Sequence, residues 1–262
     1  MAHKKEFDCV GQIFMDDESI GSCILVNPRF ALTAAHVCFD SETRKDTVRI
    51  NGHVEIHYVP TNDKRILASE LVIVLGKARV KASRIILHPT NTDSISQNGF
   101  DLALIELEKP IRSIHPASMN SKTNELHALV TGVGFGASGV ANQPQSVSLK
   151  DEKMAGENVV DSIGGEIWNG NGTTLFCDFD HPIRTDCNKM GAASPRPLEY
   201  ICSGGDSGGG LFRKKGSQYE LIGICSGMTT DLYQFKKTGY YGQIMEWTRV
   251  SAFSKWITEY NR

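Results

Sequence analysis

Short runs rich in Val, Ile and Leu recur along this chain, each closed off by Gly, Pro, Asn, Asp or Ser. No other feature constrains the fold as much. The runs cover residues 23–26, 47–50, 54–59, 70–75, 84–87, 102–107, 128–131, 220–225 and 240–248. Brief apolar segments bounded by turn residues predict an all-β sandwich or barrel rather than alternating βαβ units. The 25 glycines fit a chain that turns often. One helix is predicted, at the C-terminal end. There Val250, Phe253, Trp256, Ile257 and Tyr260 share one face at helical spacing, with Ser251 placed to cap. Residues 90–99 and 143–198 are polar, rich in turn formers and weakly periodic, so surface loops are expected in both.

Composition removes several function classes. The 262 residues suffice for one large domain or two small ones with their own cores. Lys and Arg number 28 against 30 Asp and Glu, a net charge of −2. No basic field argues for nucleic acid, and no acidic block for a charged tail. The longest apolar run near the middle, 71–75, is far shorter than the roughly 20 residues a bilayer requires. After Lys4 and Lys5 come Glu6 and Asp8, where an export signal would carry about 7–15 apolar residues. Cysteines number seven, so at least one thiol is unpaired within the chain. Odd count and missing signal together favour a reducing compartment, the cytoplasm; secretion is the expectation only if Met1 is not the natural start.

Three segments carry chemistry. Gly204-Gly205-Asp206-Ser207-Gly208-Gly209-Gly210 is a glycine-rich turn that presents a serine hydroxyl at a corner with backbone N–H groups around it. A serine is a weak nucleophile without a neighbouring base. Upstream, Phe30-Ala31-Leu32-Thr33-Ala34-Ala35-His36 sets a histidine after an apolar strand and a small-residue turn. Between the two, Phe100-Asp101-Leu102-Ala103-Leu104-Ile105-Glu106-Leu107 opens an apolar strand with an acid, whose burial is costly without a partner.

In these motifs the sequence resembles the trypsin/chymotrypsin-like serine proteases. LTAAHV (32–37), DLALIEL (101–107) and GDSGG (205–209) occur in that family's order of His, Asp, Ser. ILHP (86–89), LVTGVGFG (129–136) and TRVSAFSKWI (248–257) match less strongly, and about 143–198 is left unmatched. The resemblance implies two six-stranded antiparallel β-barrels, 1–120 with His36 and Asp101 and 121–249 with Ser207, followed by a C-terminal helix at 250–262. It implies a catalytic triad of His36, Asp101 and Ser207, an oxyanion hole from the N–H groups of Gly205 and Ser207, and a protein or peptide substrate with no cofactor. Ser226 matches the serine that supports the buried aspartate, and 226–228 the strand that pairs with substrate.

The same resemblance sets the specificity pocket and exposes departures. Counting back from Ser207 puts Ile201 at the pocket base, where members cutting after Lys or Arg carry an aspartate. Met228 and Met245 fall on its walls, with Cys202, Gly204, Cys225 and Gly227 adjoining. This implies a shallow apolar pocket and cleavage after small or medium uncharged residues. Cys38 stands one place beyond the family's half-cystine after the histidine, and Cys23 is also displaced; a one-residue shift reverses side-chain direction, so these two are not expected to pair. Cys177 and Cys187 could close a loop resembling a family bridge, and their pairing is left open. With His181 between them zinc is conceivable, but four ligands at known spacing are lacking, and no metal is expected. No Ile/Val-Val-Gly-Gly sequence is present to supply the amine that would pair with Asp206, the activation-linked acid. Asp206 therefore needs another cation or an activating protein partner, or else is solvated in an already active enzyme. Alternatives to an active endopeptidase are a protease-fold binding or regulatory protein with a dormant site and, more remotely, an esterase.

Overall fold

The computed structural model describes residues 1–50, 53–91, 99–229 and 239–260. In the first half run β1 (Val10–Met15), β2 (Glu18–Asn27), β3 (Phe30–Thr33), β4 (Phe39–Ile50), β5 (His53–Arg65), β6 (Leu71–Leu75), β7 (Ala78–Leu87) and β8 (Ala103–Leu107). Six of these close into a barrel in the order β1-β2-β3-β8-β7-β6, while β4 and β5 form a separate hairpin. Burial alternates along β6, with Leu71, Ile73 and Leu75 inside and Val72 and Val74 half-exposed, as a strand with one face on a core requires.

The second half holds β9 (Ser118–Met119), β10 (Leu129–Gly134), β11 (Ser138–Val140), β12 (Gln143–Ser148), β13 (Met154–Val159), β14 (Ser162–Trp168), β15 (Asn171–Asp178), β16 (Gly210–Lys215), β17 (Gln218–Thr229) and β18 (Ile244–Arg249). An eight-stranded sheet runs β13-β10-β16-β17-β18-β15-β14, with the short β9 parallel to β17; β11 and β12 pair on their own. The architecture is mostly β, a closed barrel joined to a second sheet and ending in a helix, in keeping with a chymotrypsin-like double barrel. Val130, Leu175, Leu211, Met245 and Trp247 fill a second core of their own. Truncating a fully buried side chain such as Trp247 to alanine costs about 3–5 kcal/mol.

Helix α1 (Val250–Glu259) buries Val250, Phe253, Trp256 and Ile257 of the predicted stripe, while Tyr260 is its half-buried C-cap. The expected cap is corrected. The N-cap is Arg249, without a side-chain cap bond, and Ser251 lies buried inside the first turn with its hydroxyl unpartnered. The chain passes directly from β18 into the helix, and Arg249 is held instead by buried Glu125, 2.6 Å from its Nη2, and by the Gly172 carbonyl.

Two other expectations change. Residues 143–178 are not loops but contain β12 to β15; the irregular part begins only after Asp178. The 240–248 run begins as a turn, and its strand starts only at Ile244. Of the loop foreseen at 90–99, residues 92–98 lie outside the described residues. All seven cysteines are free. The Cys177–Cys187 bridge is therefore absent, and the displaced Cys23 and Cys38 are buried thiols. Among the described residues no helix is long and apolar enough to cross a membrane.

Candidate active site

Strand register brings His36 to Asp101. β3 and β8 are antiparallel neighbours, with Thr33 opposite Ala103. The end of β3 therefore lies at the start of β8. His36, three residues beyond Thr33 on a single 3₁₀ turn (Ala35–Cys38), meets Asp101, two residues before Ala103. Both carboxylate oxygens serve this histidine. Oδ1 accepts the His36 backbone N–H at 2.8 Å, and Oδ2 lies 2.8 Å from Nδ1. A carboxylate only accepts, so Nδ1 carries the hydrogen and the neutral ring keeps Nε2 as its acceptor.

The second sheet completes the acid's surroundings. Ser226 donates its hydroxyl to Asp101 Oδ2 at 2.6 Å, and Thr248 donates to the Asp101 carbonyl at 3.0 Å. The β17–β18 register slips between Cys225 and Gly227, leaving Ser226 with no opposite residue on β18. Such a bulge re-aims a side chain, here across to the first barrel. Asp101 is 1% exposed. Burial alone would raise its pKa, but the charge and hydrogen bond of His36 and the Ser226 hydroxyl hold it below the usual carboxylate range. For His36 burial works downward, and the adjoining carboxylate outweighs it, so its pKa lies above the usual imidazole value.

Ser207 sits on the turn leading into β16 and is half-buried, as is His36. All four carbonyls of residues 204–207 are engaged. Gly204 C=O accepts from Ala137 N–H, Asp206 C=O from Gly209 N–H, and Ser207 C=O from Ser22 N–H, while Asp206 N–H donates to Ser203 C=O. Gly205 C=O accepts the Ser22 hydroxyl. Of the four N–H groups in 204–207 only that of Asp206 meets a protein acceptor among the described residues; Gly204 is exposed, which leaves the half-buried Gly205 and Ser207 N–H groups open. Buried and half-buried N–H groups are otherwise nearly always paired, so this pair is a ready receptor for an anion. The glycines are required by space. Gly208 has φ +83°, and a Cβ on it would collide with the Ser22 carbonyl and the Thr33 hydroxyl; Gly205 has φ +97°.

Asp206 is 3% exposed. Its partners are neutral: Gly136 N–H on Oδ1 and Ser203 N–H on Oδ2, each at 2.9 Å. The Tyr200 hydroxyl lacks a fully formed hydrogen bond yet lies close enough to favour the ionised acid. Burial dominates and pushes the Asp206 carboxyl up to about 6. It is neither cation-paired among the described residues nor solvated. It lines a cavity of about 510 Å³ together with Tyr200, Ile201, Ser203 and, at the rim, exposed Val140, Met154 and Leu198.

Of the pocket residues read from sequence, Ile201, Gly227 and Met228 are half-buried and Gly204 is exposed. Cys202, Cys225 and Met245 are core residues, 3%, 2% and 0% exposed. Met245 faces Met228 across the β17–β18 ladder, and its sulfur accepts the Cys202 N–H at 3.4 Å. Cys202 Sγ in turn reaches the Gly227 carbonyl at 3.5 Å. β16 leaves β17 after Ile224, so among the described residues no strand pairs with the other edge of 227–229.

Sequence reasoning missed Ser22, Tyr200 and Thr248. Thr248 lies inside a matching segment, but nothing local marks the other two. His88, within the weakly matching segment 86–89, is a core residue ringed by Phe100, Trp168, Phe253 and Trp256, with burial lowering its pKa to about 4.

The family model described as Trypsin matches residues 1–257. No curated protein matches the chain closely enough to count as a relative.

Proposed function

The chain belongs to the trypsin family, whose model covers nearly all of it, and on that premise we propose that it is a serine endopeptidase. Ser207 Oγ attacks the scissile carbonyl while His36 Nε2 takes its proton. His36 then protonates the leaving amine, and water hydrolyses the acyl-enzyme by the same relay in reverse. Asp101 holds the imidazole in the useful tautomer and stabilises its charged form. The N–H groups of Gly205 and Ser207 receive the oxyanion, each contributing about 3–4 kcal/mol to the transition state.

The observation that carries this reading is the double engagement of buried Asp101 by His36, through backbone N–H and ring Nδ1. A structural ion pair has no need of a half-exposed histidine aimed by two bonds, beside a turn with two unengaged N–H groups. Substrate adds as an antiparallel strand along the open edge of 226–228. Ile201 offers no charge to a Lys or Arg, and Met245 with Met228 limits depth, so cleavage occurs after small or medium uncharged residues. Labelling with a fluorophosphonate tests the mechanism: the wild type is expected to label and Ser207→Ala not to. A fluorogenic peptide library tests the pocket, and exclusive cleavage after Arg would refute it.

A second reading, a dormant or partner-activated protease fold, draws on Asp206. Among the described residues it meets only neutral donors, and the cavity it lines is open to a cationic group. Rapid turnover of a short linear peptide by the purified chain alone removes this reading.

A further inference from the structure

Ser22 lies on β2 of the first barrel, fully buried at 0% exposure. All of its hydrogen-bonding groups reach other segments of the site. Its N–H donates to Ser207 C=O at 2.8 Å. Its C=O accepts the Thr33 hydroxyl at 2.8 Å. Its own hydroxyl donates to Gly205 C=O at 2.9 Å and accepts the Phe135 N–H at 3.0 Å. One side chain thus ties the barrel that bears the histidine to the turn that bears the nucleophile, and to the segment leaving β10.

That segment acts as a bracket. Three consecutive N–H groups point at the nucleophile turn or its clamp: Phe135 to Ser22 Oγ, Gly136 to Asp206 Oδ1, and Ala137 to Gly204 C=O. The Ala137 bond fixes the peptide plane whose other end is the Gly205 N–H. The Ser22 bond fixes the next plane, so the Gly205 N–H cannot rotate away without breaking one of them. No member of this set is a cation.

We propose that the Ser22 hydroxyl is a positioning residue for the oxyanion turn, holding the Gly205 and Ser207 N–H groups in place without a positive charge on Asp206. It touches no reacting atom and acts through Gly205 and Phe135. Its loss leaves the Gly205 carbonyl and the Phe135 N–H, both of half-buried residues, without this partner, and the turn relaxes to satisfy them. Displacement by about 1 Å costs on the order of 100-fold in rate, and complete loss of one oxyanion donor about 100- to 1,000-fold.

The inference rests on the serine-hydrolase reading, and the test separates the two. Second-order labelling by a fluorophosphonate is measured for wild type, Ser207→Ala, Ser22→Ala and Ser22→Gly, resolved into the maximal rate and the reagent's apparent affinity. Ser22→Gly retains the backbone bonds of residue 22 and removes only the hydroxymethyl group. The expected result is a maximal rate lowered about 10- to 100-fold in both Ser22 variants, with affinity within about twofold of wild type. Folded Ser22 variants that label at the wild-type rate would overturn the inference, as would an equal loss of rate and affinity. Wild type that fails to label, or that labels no faster than Ser207→Ala, sinks the hydrolase reading instead. Amide exchange in the wild-type protein covers the case in which both variants misfold. The Phe135 N–H is expected to be strongly protected, and rapid exchange there contradicts the clamp.

Discussion

Asp101 and Asp206 are the same residue type, buried to nearly the same degree, one at the start of β8 and one in the turn before β16, yet their acidities move in opposite directions. Asp101 is 1% exposed and Asp206 3%. Burial raises both. The difference lies in the partner: Asp101 faces an imidazole that can carry a full charge, whereas Asp206 faces peptide N–H groups. Neutral donors offset part of the desolvation of a carboxylate and a cation offsets more. The first acid is built to stay charged beside His36. The second fastens the Ser207 turn with its charge only partly compensated.

The largest test of this contrast removes the charge from Asp101. Asp101→Asn is expected to lower labelling or peptide turnover roughly 10⁴-fold, because the amide no longer holds the useful tautomer or stabilises the imidazolium. Its pH profile sharpens the point. The proposed mechanism requires neutral His36, so wild-type activity is expected to rise with pH through a pKa above the ordinary 6.5. In Asp101→Asn the residual activity should show that inflection moved downward. Unchanged turnover would mean that the two acids do not differ in role.

The next effect is on stability. The Asp206 pKa is about 6 in the folded chain against 3.8 for the free side chain. Protons therefore bind the folded state more tightly. Its contribution is fully present below pH 3.8 and is lost as pH rises through about 6, amounting to about 3 kcal/mol. Asp161 and Glu199, both raised to about 7 chiefly by burial, act in the same sense at somewhat higher pH. Urea midpoints should thus fall between about pH 4 and pH 7. Asp206→Ala removes the acceptors of the Gly136 and Ser203 N–H groups but leaves the Ser22, Phe135 and Ala137 bonds; it should flatten the part of that slope below about pH 6 and spare the part near 7. Asp206→Asn should be worse than neutral, because the amide NH₂ must face one of two backbone donors bound to opposite oxygens. About 1–3 kcal/mol of destabilisation is expected, read as a lower urea midpoint at about pH 5.

Ser226→Ala gives the smallest effect. It removes one hydrogen bond to Asp101 while both His36 bonds persist. A hydrogen bond to a charged group is worth about 1.5–3 kcal/mol, so turnover should fall about 10- to 150-fold. A loss as large as that of Asp101→Asn would show that the bulge, rather than the histidine, keeps the acid ionised.

How much of this was legible in the sequence depends on the range of the interactions. The strand–turn contexts of His36, Asp101 and Ser207 are local, and so were readable, as was the apolar stripe of α1. The strands β13 and β14 escaped notice because their residues are largely half-exposed and include Gly, Asn and Ser, which blur the alternation that marks a strand. Ser251 resembled a cap by composition, but the helix begins one strand-end earlier, at Arg249, where tertiary bonds to Glu125 and Gly172 replace capping. Ser22 was invisible for a different reason. Its bond to Gly205 spans 183 positions, and a lone serine in a strand carries no local sign of what it will touch.

The free thiols have a practical consequence. Six of the seven cysteines are buried and only Cys187 is partly accessible. With no cross-links to hold the ends together, any opening of either core uncovers fresh sulfhydryls in distinct places: Cys9, Cys23 and Cys38 in the first, Cys177, Cys202 and Cys225 in the second. An alkylating reagent with subsequent peptide mapping would therefore time the breathing of the two halves separately, with Cys187 as the clock's zero.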